Sequence, residues 1–534
     1  MGEHSHHHQT EHGGAGFFSR EAVSGMPWMV AGKMVLFFLY FGISILTVNA
    51  LGQEQFGTYS LMTNISSYLL LFCGLGLGAA LMRYIPELAA RKNRFGLIHL
   101  LWKSAALQLI AVVSISLLVV FLSTPLQRLF NAEHVEHFDL YLKLACGLTA
   151  LLLLKDFVST VFTSFFKIRV VSLLSVAQGL IWFMVLAVWL GYTSEIGTVF
   201  FAQMFSIFLM YLLGAVFLFR YVRELPWESR EFGIGKKRAL SFSGTVMLSS
   251  ILRMVMFKYS EIFFIAAVGG TTLAGIYDLG YTLPYTLITF IPLALLSLFT
   301  SAFAEAYVKD RNCLGRLISS YYKVLMMVSL PVGILGTCLS PAAYHIIYSG
   351  KMDAAGPLAS AFCIVLLLPL VSMPLSAAIK AREKVLNMVP MLVLQIVVNL
   401  LLDWLLIVKF KLGVWGGVGA VVGTFVLTIP FRLFIVRRII GGIHFPMYFF
   451  LRITTTLLLL AGSIRWIIGK VGLFDLFDGQ LINVGLLLTV GGCYLLLFLL
   501  AVRYLHLVRK EDIVDFQALE IRKLNLLLRF LVKS

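Results

Sequence analysis

Few side chains in this chain could do chemistry, and most of them are ionisable groups set in apolar surroundings. Arg253, Lys258 and Glu261 fall in one apolar stretch, and Lys33, Lys155 and Asp156 fall in two others. A charge placed there is costly, so it marks a functional position unless it is paired. Arg253 has no acid three or four residues away. Its guanidinium forks onto phosphate oxygens, whereas a lysine offers a point charge. Arg253, Lys33, Lys258 and Lys155 are therefore candidates for holding an anionic group. Glu261 follows Lys258 by three residues and shares its helix face, so it either pairs with that lysine or serves a coupling ion. Asp156 has the same two readings, because its neighbour Lys155 points in a different direction from the helix axis.

Other chemistries find no footing. No His, Cys and acid cluster has metal-ligand spacing, and no nucleophile triad is readable. Gly74-x-Gly76-x-Gly78 follows no strand, which excludes a nucleotide loop, and there is no Walker motif. Cys73, Cys146, Cys313, Cys338, Cys363 and Cys493 show no CxxC spacing. The expectation is a protein that is not an enzyme and needs no metal and no cofactor. Asp278 and Asp403 read as solvated near the outer ends of their spans. Lys103, Lys143, Lys323, Arg452 and Arg465 read as snorkelling to the interface.

The elements that must position these groups are membrane helices. The chain of 534 residues is 60% hydrophobic and 13% charged, with mean hydropathy +0.92. No soluble domain hides that much apolar surface, and a span needs only about 20 apolar residues. The net charge of +17 does not point to nucleic acid, because the basic residues sit in short turns between apolar runs. Fourteen spans are expected: 26–49, 58–82, 98–122, 139–164, 170–190, 197–219, 240–268, 273–301, 318–342, 356–379, 387–408, 415–436, 447–468 and 481–503. Alternate turns carry the arginines and lysines, which places both termini on the cytoplasmic side of the membrane.

The chain also repeats itself. Gly52, Gly57, Tyr59 and Glu87 recur as Gly270, Gly275, Tyr277 and Glu305, each 218 residues later. That interval spans six helices, an even number, so the copies enter the membrane in the same sense and are related by an axis along its normal. Lys33 precedes its turn glycine by 19 residues and Arg253 precedes its own by 17, which puts one cation at similar depth in each copy. The resulting fold class is an all-α polytopic membrane protein, two six-helix lobes in a parallel pseudo-twofold repeat plus two extra C-terminal helices. The expected divisions are a His-rich tail at 1–24, an N-lobe at 25–222, a linker at 223–239, a C-lobe at 240–440, spans 13 and 14 at 441–505, and a basic amphipathic tail at 506–534. Pro284, Pro292, Pro331, Pro341, Pro369, Pro374 and Pro390 place the bent helices in the second lobe.

Ala50-Leu-Gly-Gln-Glu-Gln-Phe-Gly-Thr-Tyr59 and the run from Gly74 to Glu87 resemble the first hairpin of the polysaccharide transporter family, which includes the O-antigen and lipid-linked oligosaccharide flippases. Gly270 to Tyr277 and Leu412 to Ala420 resemble its second-lobe counterparts. The resemblance covers about residues 25–505 and extends to the multidrug/oligosaccharidyl-lipid/polysaccharide exporter superfamily. It implies a flippase that moves an isoprenyl-diphosphate-linked glycan from inner to outer leaflet by alternating access. It also implies membrane lipids as partners, and a glycan polymerase and glycosyltransferases as further ones. Two other readings stand beside it: a multidrug/cation antiporter, which calls for a deep acid that the first helix lacks, and a non-transporting scaffold for glycan assembly.

Overall fold

The computed structural model describes residues 13–224, 260–309, 314–381, 389–440, 445–471 and 479–508, together with Gly244 and Met247. Arg253 and Lys258 lie outside the described residues, as do the linker at 225–239 and the tail from 509. The elements are α1 (Gly13–Gly74), α2 (Leu77–Ala90), α3 (Arg94–Phe121), α4 (Ser123–Leu129), α5 (Phe138–Ser164), α6 (Ile168–Trp189) and α7 (Ile196–Glu224). They continue as α8 (Ser260–Lys309), α9 (Leu314–Ile347), α10 (Ala355–Val365), α11 (Leu368–Ala381), α12 (Val389–Asp403), α13 (Gly413–Ile440), α14 (Met447–Val471) and α15 (Gln480–Tyr504). Helix α1 begins at Gly13, inside the stretch expected to be a tail, where no proline stops a helix before Pro27.

Twelve stretches among the described residues are long and apolar enough to cross a membrane. Two of them, in α1 and α8, are each broken by one non-helical glycine, Gly52 and Gly270. Each break divides its stretch in two; the part of α8 before Gly270 holds ten described residues, and the rest of the seventh expected span, 240–268, lies almost wholly outside the described residues. The two breaks share one backbone conformation: φ 70 and ψ −174 at Gly52, φ 78 and ψ 177 at Gly270. That region is essentially closed to residues with a Cβ. The repeat is thus visible in dihedral angles as well as in residue types.

The chain falls into two compact units. The first comprises Met1–Leu51, Met62–Arg128 and Glu133–Ile251; the second comprises Gly52–Leu61, Leu129–Ala132 and Leu252–Ser534. In the first unit, α5 packs on α2, α3, α6 and α7. Ser66 donates to the Ala145 carbonyl at 2.9 Å, a polar stitch between apolar helices. In the second unit, α9 packs on α8, α10, α14 and α15, around a core that includes Tyr321, Leu375, Ile453 and Phe498. The two C-terminal helices that lack a repeat counterpart are thus held by α9. Arg452 on α14 fixes the end of α15 by donating to the Leu507 carbonyl at 2.7 Å.

Within the second unit, repeat-equivalent positions meet each other. Ser60 donates to Asp278 at 2.6 Å, across 218 residues of chain. A Cβ on Gly275 would stand 2.5 Å from the Cα of its equivalent, Gly57. The Thr58 hydroxyl lies 3.4 Å from that of Thr271. Only a pair of glycines permits this approach. A residue that touches its own counterpart lies on the symmetry axis, so this seam marks the pseudo-twofold axis of the repeat. Asp278, expected to be solvated, is half-buried and bonded to Ser60 and Thr282, because the seam encloses it.

Candidate functional site

Two facing polar stripes build the site. Along α12, Met391, Gln395, Asn399 and Asp403 recur every four residues and are all buried. On α13, Thr424, Thr428 and Arg432 keep the same interval and are buried as well. Residues four apart share one helix face, so each stripe looks across at the other, and α12 packs on α13. A π-helical turn, Trp404–Lys409, continues α12 directly after Asp403; such turns concentrate at functional positions. Leu402 and Leu406 lie against Gly423, Gly416 and Gly419 of α13, because glycines let two helices approach closely. The start of α8 supplies the third wall with Ser260 and Glu261.

Glu261 is wholly buried. Asn399 donates from Nδ2 to Glu261 Oε1 at 3.1 Å and approaches Thr424 Oγ1 at 3.4 Å. The Ser260 hydroxyl donates to Asn399 Oδ1 at 3.0 Å and lies 3.3 Å from Glu261 Oε2. Asp403 is wholly buried too, beside Ser260, and among the described residues neither of its carboxylate oxygens has a hydrogen-bond partner of good geometry. The Tyr277 hydroxyl is likewise buried without a partner among the described residues. An unpaired carboxylate in a dry interior costs several kcal/mol. Three unsatisfied oxygens beside a second carboxylate therefore mark a place for a positive charge. Every available donor atom is oxygen, from carboxylate, amide or hydroxyl, and this set suits a hard cation or a proton rather than a soft metal. Among the described residues no group of three His, Cys, Asp or Glu side chains is placed to hold a metal ion.

Asp403 corrects the sequence reading. Expected to be solvated near an outer end, it is 0% exposed, because its place on the every-fourth stripe turns it toward α13 and the π-helical turn carries the helix on past it. The signal lies in Gln395-x-x-x-Asn399-x-x-x-Asp403 and Thr424-x-x-x-Thr428-x-x-x-Arg432, a polar stripe that depth of charge alone does not reveal. Arg432 was missed for the same reason.

The other candidates are dispersed. Lys155 donates to Gln178 at 3.2 Å, Gln178 donates to Ser206 at 3.1 Å, and the lysine lies 5.8 Å from the centre of the Tyr211 ring. Its head is thus held inside the first unit. Asp156 next to it is exposed, as is Lys33; the adjacent pair does point apart. Lys323, expected to snorkel, is buried over the Phe449 ring, where the aromatic face replaces water. Of the expected site residues, Glu261 alone enters the buried cluster among the described residues.

The chain matches the family described as polysaccharide biosynthesis protein over residues 22–303, more than half its length, and it belongs to that family. No curated protein sequence matches it. Among solved structures, the lipid II flippase MurJ in an inward closed conformation is similar with a TM-score of 0.65 at 14% identity, covering 90% of this chain and 100% of the other. A multidrug resistance MATE family transporter of the MOP superfamily, inward-facing, has a TM-score of 0.61 at 20% identity, covering 76% of this chain and 94% of that one. A MOP superfamily transporter from Pyrococcus furiosus Vc1 has 0.53 at 18%, covering 80% and 97%. The protein therefore is a multi-pass membrane protein with the fold of the MOP superfamily transporters.

Proposed function

We propose that this protein is a flippase that moves an isoprenyl-diphosphate-linked oligosaccharide or polysaccharide repeat unit from the inner to the outer leaflet of the plasma (cell inner) membrane by alternating access, with both termini in the cytoplasm. Membership in a polysaccharide biosynthesis family is the observation that carries this reading, and the likeness in fold to a lipid II flippase supports it. On this reading the chain is a transporter and not an enzyme, with a lipid-linked glycan as cargo and glycosyltransferases and a glycan polymerase as its working partners.

The cargo headgroup is a diphosphate, so it needs cations in a poorly hydrated passage. Arg253 is the foremost candidate, with Lys33, Lys258 and Lys155 as supporting charges. Glu261 and Asp403 serve a different part: they take a cation from solution and return it, so that its gradient drives the cycle. Asp156, exposed on α5, is a second candidate for that exchange.

The test is outer-leaflet appearance of lipid-linked glycan in a strain whose own flippase is absent. Arg253→Ala reaches the membrane at normal level and does not flip; Arg253→Lys retains part of the activity, because charge remains while the fork is lost; Lys33→Ala does less harm or as much. Normal flipping by an expressed Arg253→Ala protein overturns the headgroup reading. A multidrug/cation antiporter is the second reading, favoured by the MATE likeness; sodium- or proton-driven efflux of organic cations without any glycan flipping selects it. Intact binding of glycan-assembly enzymes with no transport selects the scaffold.

A further inference from the structure

The two stripes do not end at the acids. Thr428 donates to the Thr424 carbonyl at 2.6 Å, Gln395 Nε2 donates to Thr428 Oγ1 at 3.1 Å, and Arg432 Nη2 donates to Gln395 Oε1 at 2.9 Å. Arg432 Nε turns to Met391 Sδ at 3.3 Å. A continuous polar file thus leads from the carboxylates to a guanidinium that is buried and held by neutral acceptors alone among the described residues. A buried charge needs compensation, and among the described residues no carboxylate pairs with Arg432 at contact distance. The acids along its own file are Glu261 and Asp403. Lys323, the other buried cation described in this unit, faces Phe449, and Asp278 is held at the seam by Ser60.

We infer that Arg432 is the internal countercharge of the Glu261–Asp403 site and thereby sets both the charge and the affinity of the ion that it takes. The inference rests on the cation reading given above. Two carboxylates and one guanidinium leave a single negative charge, which one monovalent cation cancels; a divalent ion would overfill it. Arg432 follows Thr424 by two helical turns, about 12 Å along the axis. At that distance and an effective dielectric constant of about 20, one unit charge changes the affinity for a monovalent ion about tenfold and for a divalent ion about a hundredfold. The arginine thus weakens the site enough to let a sodium ion leave, and it discriminates against calcium. It is a positioning and specificity residue that need not touch the ion.

The test uses the full-length protein in nanodiscs, with sodium and calcium binding followed by calorimetry. Arg432→Gln is expected to bind sodium about tenfold and calcium about a hundredfold more tightly, while Arg432→Lys stays near the parent, because it keeps the charge. Gln395→Glu, which sets a carboxylate against the guanidinium, shifts both affinities in the same direction and decides the matter if Arg432→Gln does not fold. Unchanged or weaker sodium binding in the charge-removing variants overturns the countercharge while leaving the cation site standing. A parent protein that binds neither ion overturns the cation site itself and the countercharge with it. Equal shifts for sodium and calcium mean that Arg432 acts by shape, and they also overturn the inference.

Discussion

At the residue scale the decisive group is Asp403, a carboxylate with two unsatisfied oxygens in a dry interior. Asp403→Asn removes the charge and keeps the shape. Without sodium, the variant is expected to unfold at a higher temperature than the parent, because an uncompensated buried charge is gone. With sodium, the order reverses: the parent gains stability as the ion binds, about 2.7 kcal/mol at a hundred times its dissociation constant, and the variant gains little. Thermal unfolding in detergent with sodium or with a bulky organic cation reads this directly. A variant that sodium stabilises as much as it does the parent would remove Asp403 from the site. The residue also shows where sequence reading stopped. Its type and its neighbours at every fourth position were legible, but its burial depended on which face of α12 meets α13, and a helix that is apolar on every side does not announce that face. Glu261 was legible as a deep acid; its partners were not, because Asn399 and Ser260 are brought together across 139 residues of chain.

At the element scale the broken helices carry the argument. Gly52 and Gly270 were legible as turn glycines of a repeat, and their shared positive-φ conformation bears that out. The contact between Gly57 and Gly275 was not legible, since a repeat tells which positions are equivalent and not that they touch. Gly275→Val inserts atoms where Gly57 Cα stands 2.5 Å from the Cβ, and overpacking of this kind costs about 1–3 kcal/mol. Gly57→Val is expected to cost a similar amount. The double variant should cost less than the sum, since both substitutions pry open one contact and neighbours do not act independently. Melting temperatures of the four proteins measure this; strict additivity would mean that the two glycines do not share a contact in the membrane.

At the scale of the whole molecule, the fourteen spans expected from the sequence fix which loops share a side. Cysteine labelling from outside intact cells is expected to reach residues 128–134 and 470–479 and to miss 91–94, 309–316 and 509. One loop on the wrong side inverts every later span and breaks the parallel repeat. Alternating access adds a second expectation, because the seam must part once in each cycle. Cysteines in place of Ser60 and Asp278, joined by a short thiol-reactive linker, are expected to stop flipping, and cleavage of the linker should restore it. Undiminished flipping by the linked protein would show that the seam stays shut throughout.

The bond between Ser60 and Asp278 has a bearing on ancestry. These are one position in two copies of a single ancestral half. In a dimer of identical halves that position would face itself, and aspartate there would set two like charges against each other across the axis, a destabilising arrangement. Serine opposite serine would be tolerated, but neither identical pair gives a hydroxyl donating to a carboxylate. Fusing the halves into one chain let the two sites diverge. The unequal pair is thus something that two identical halves could not encode, and it separates the single chain from any symmetric forebear.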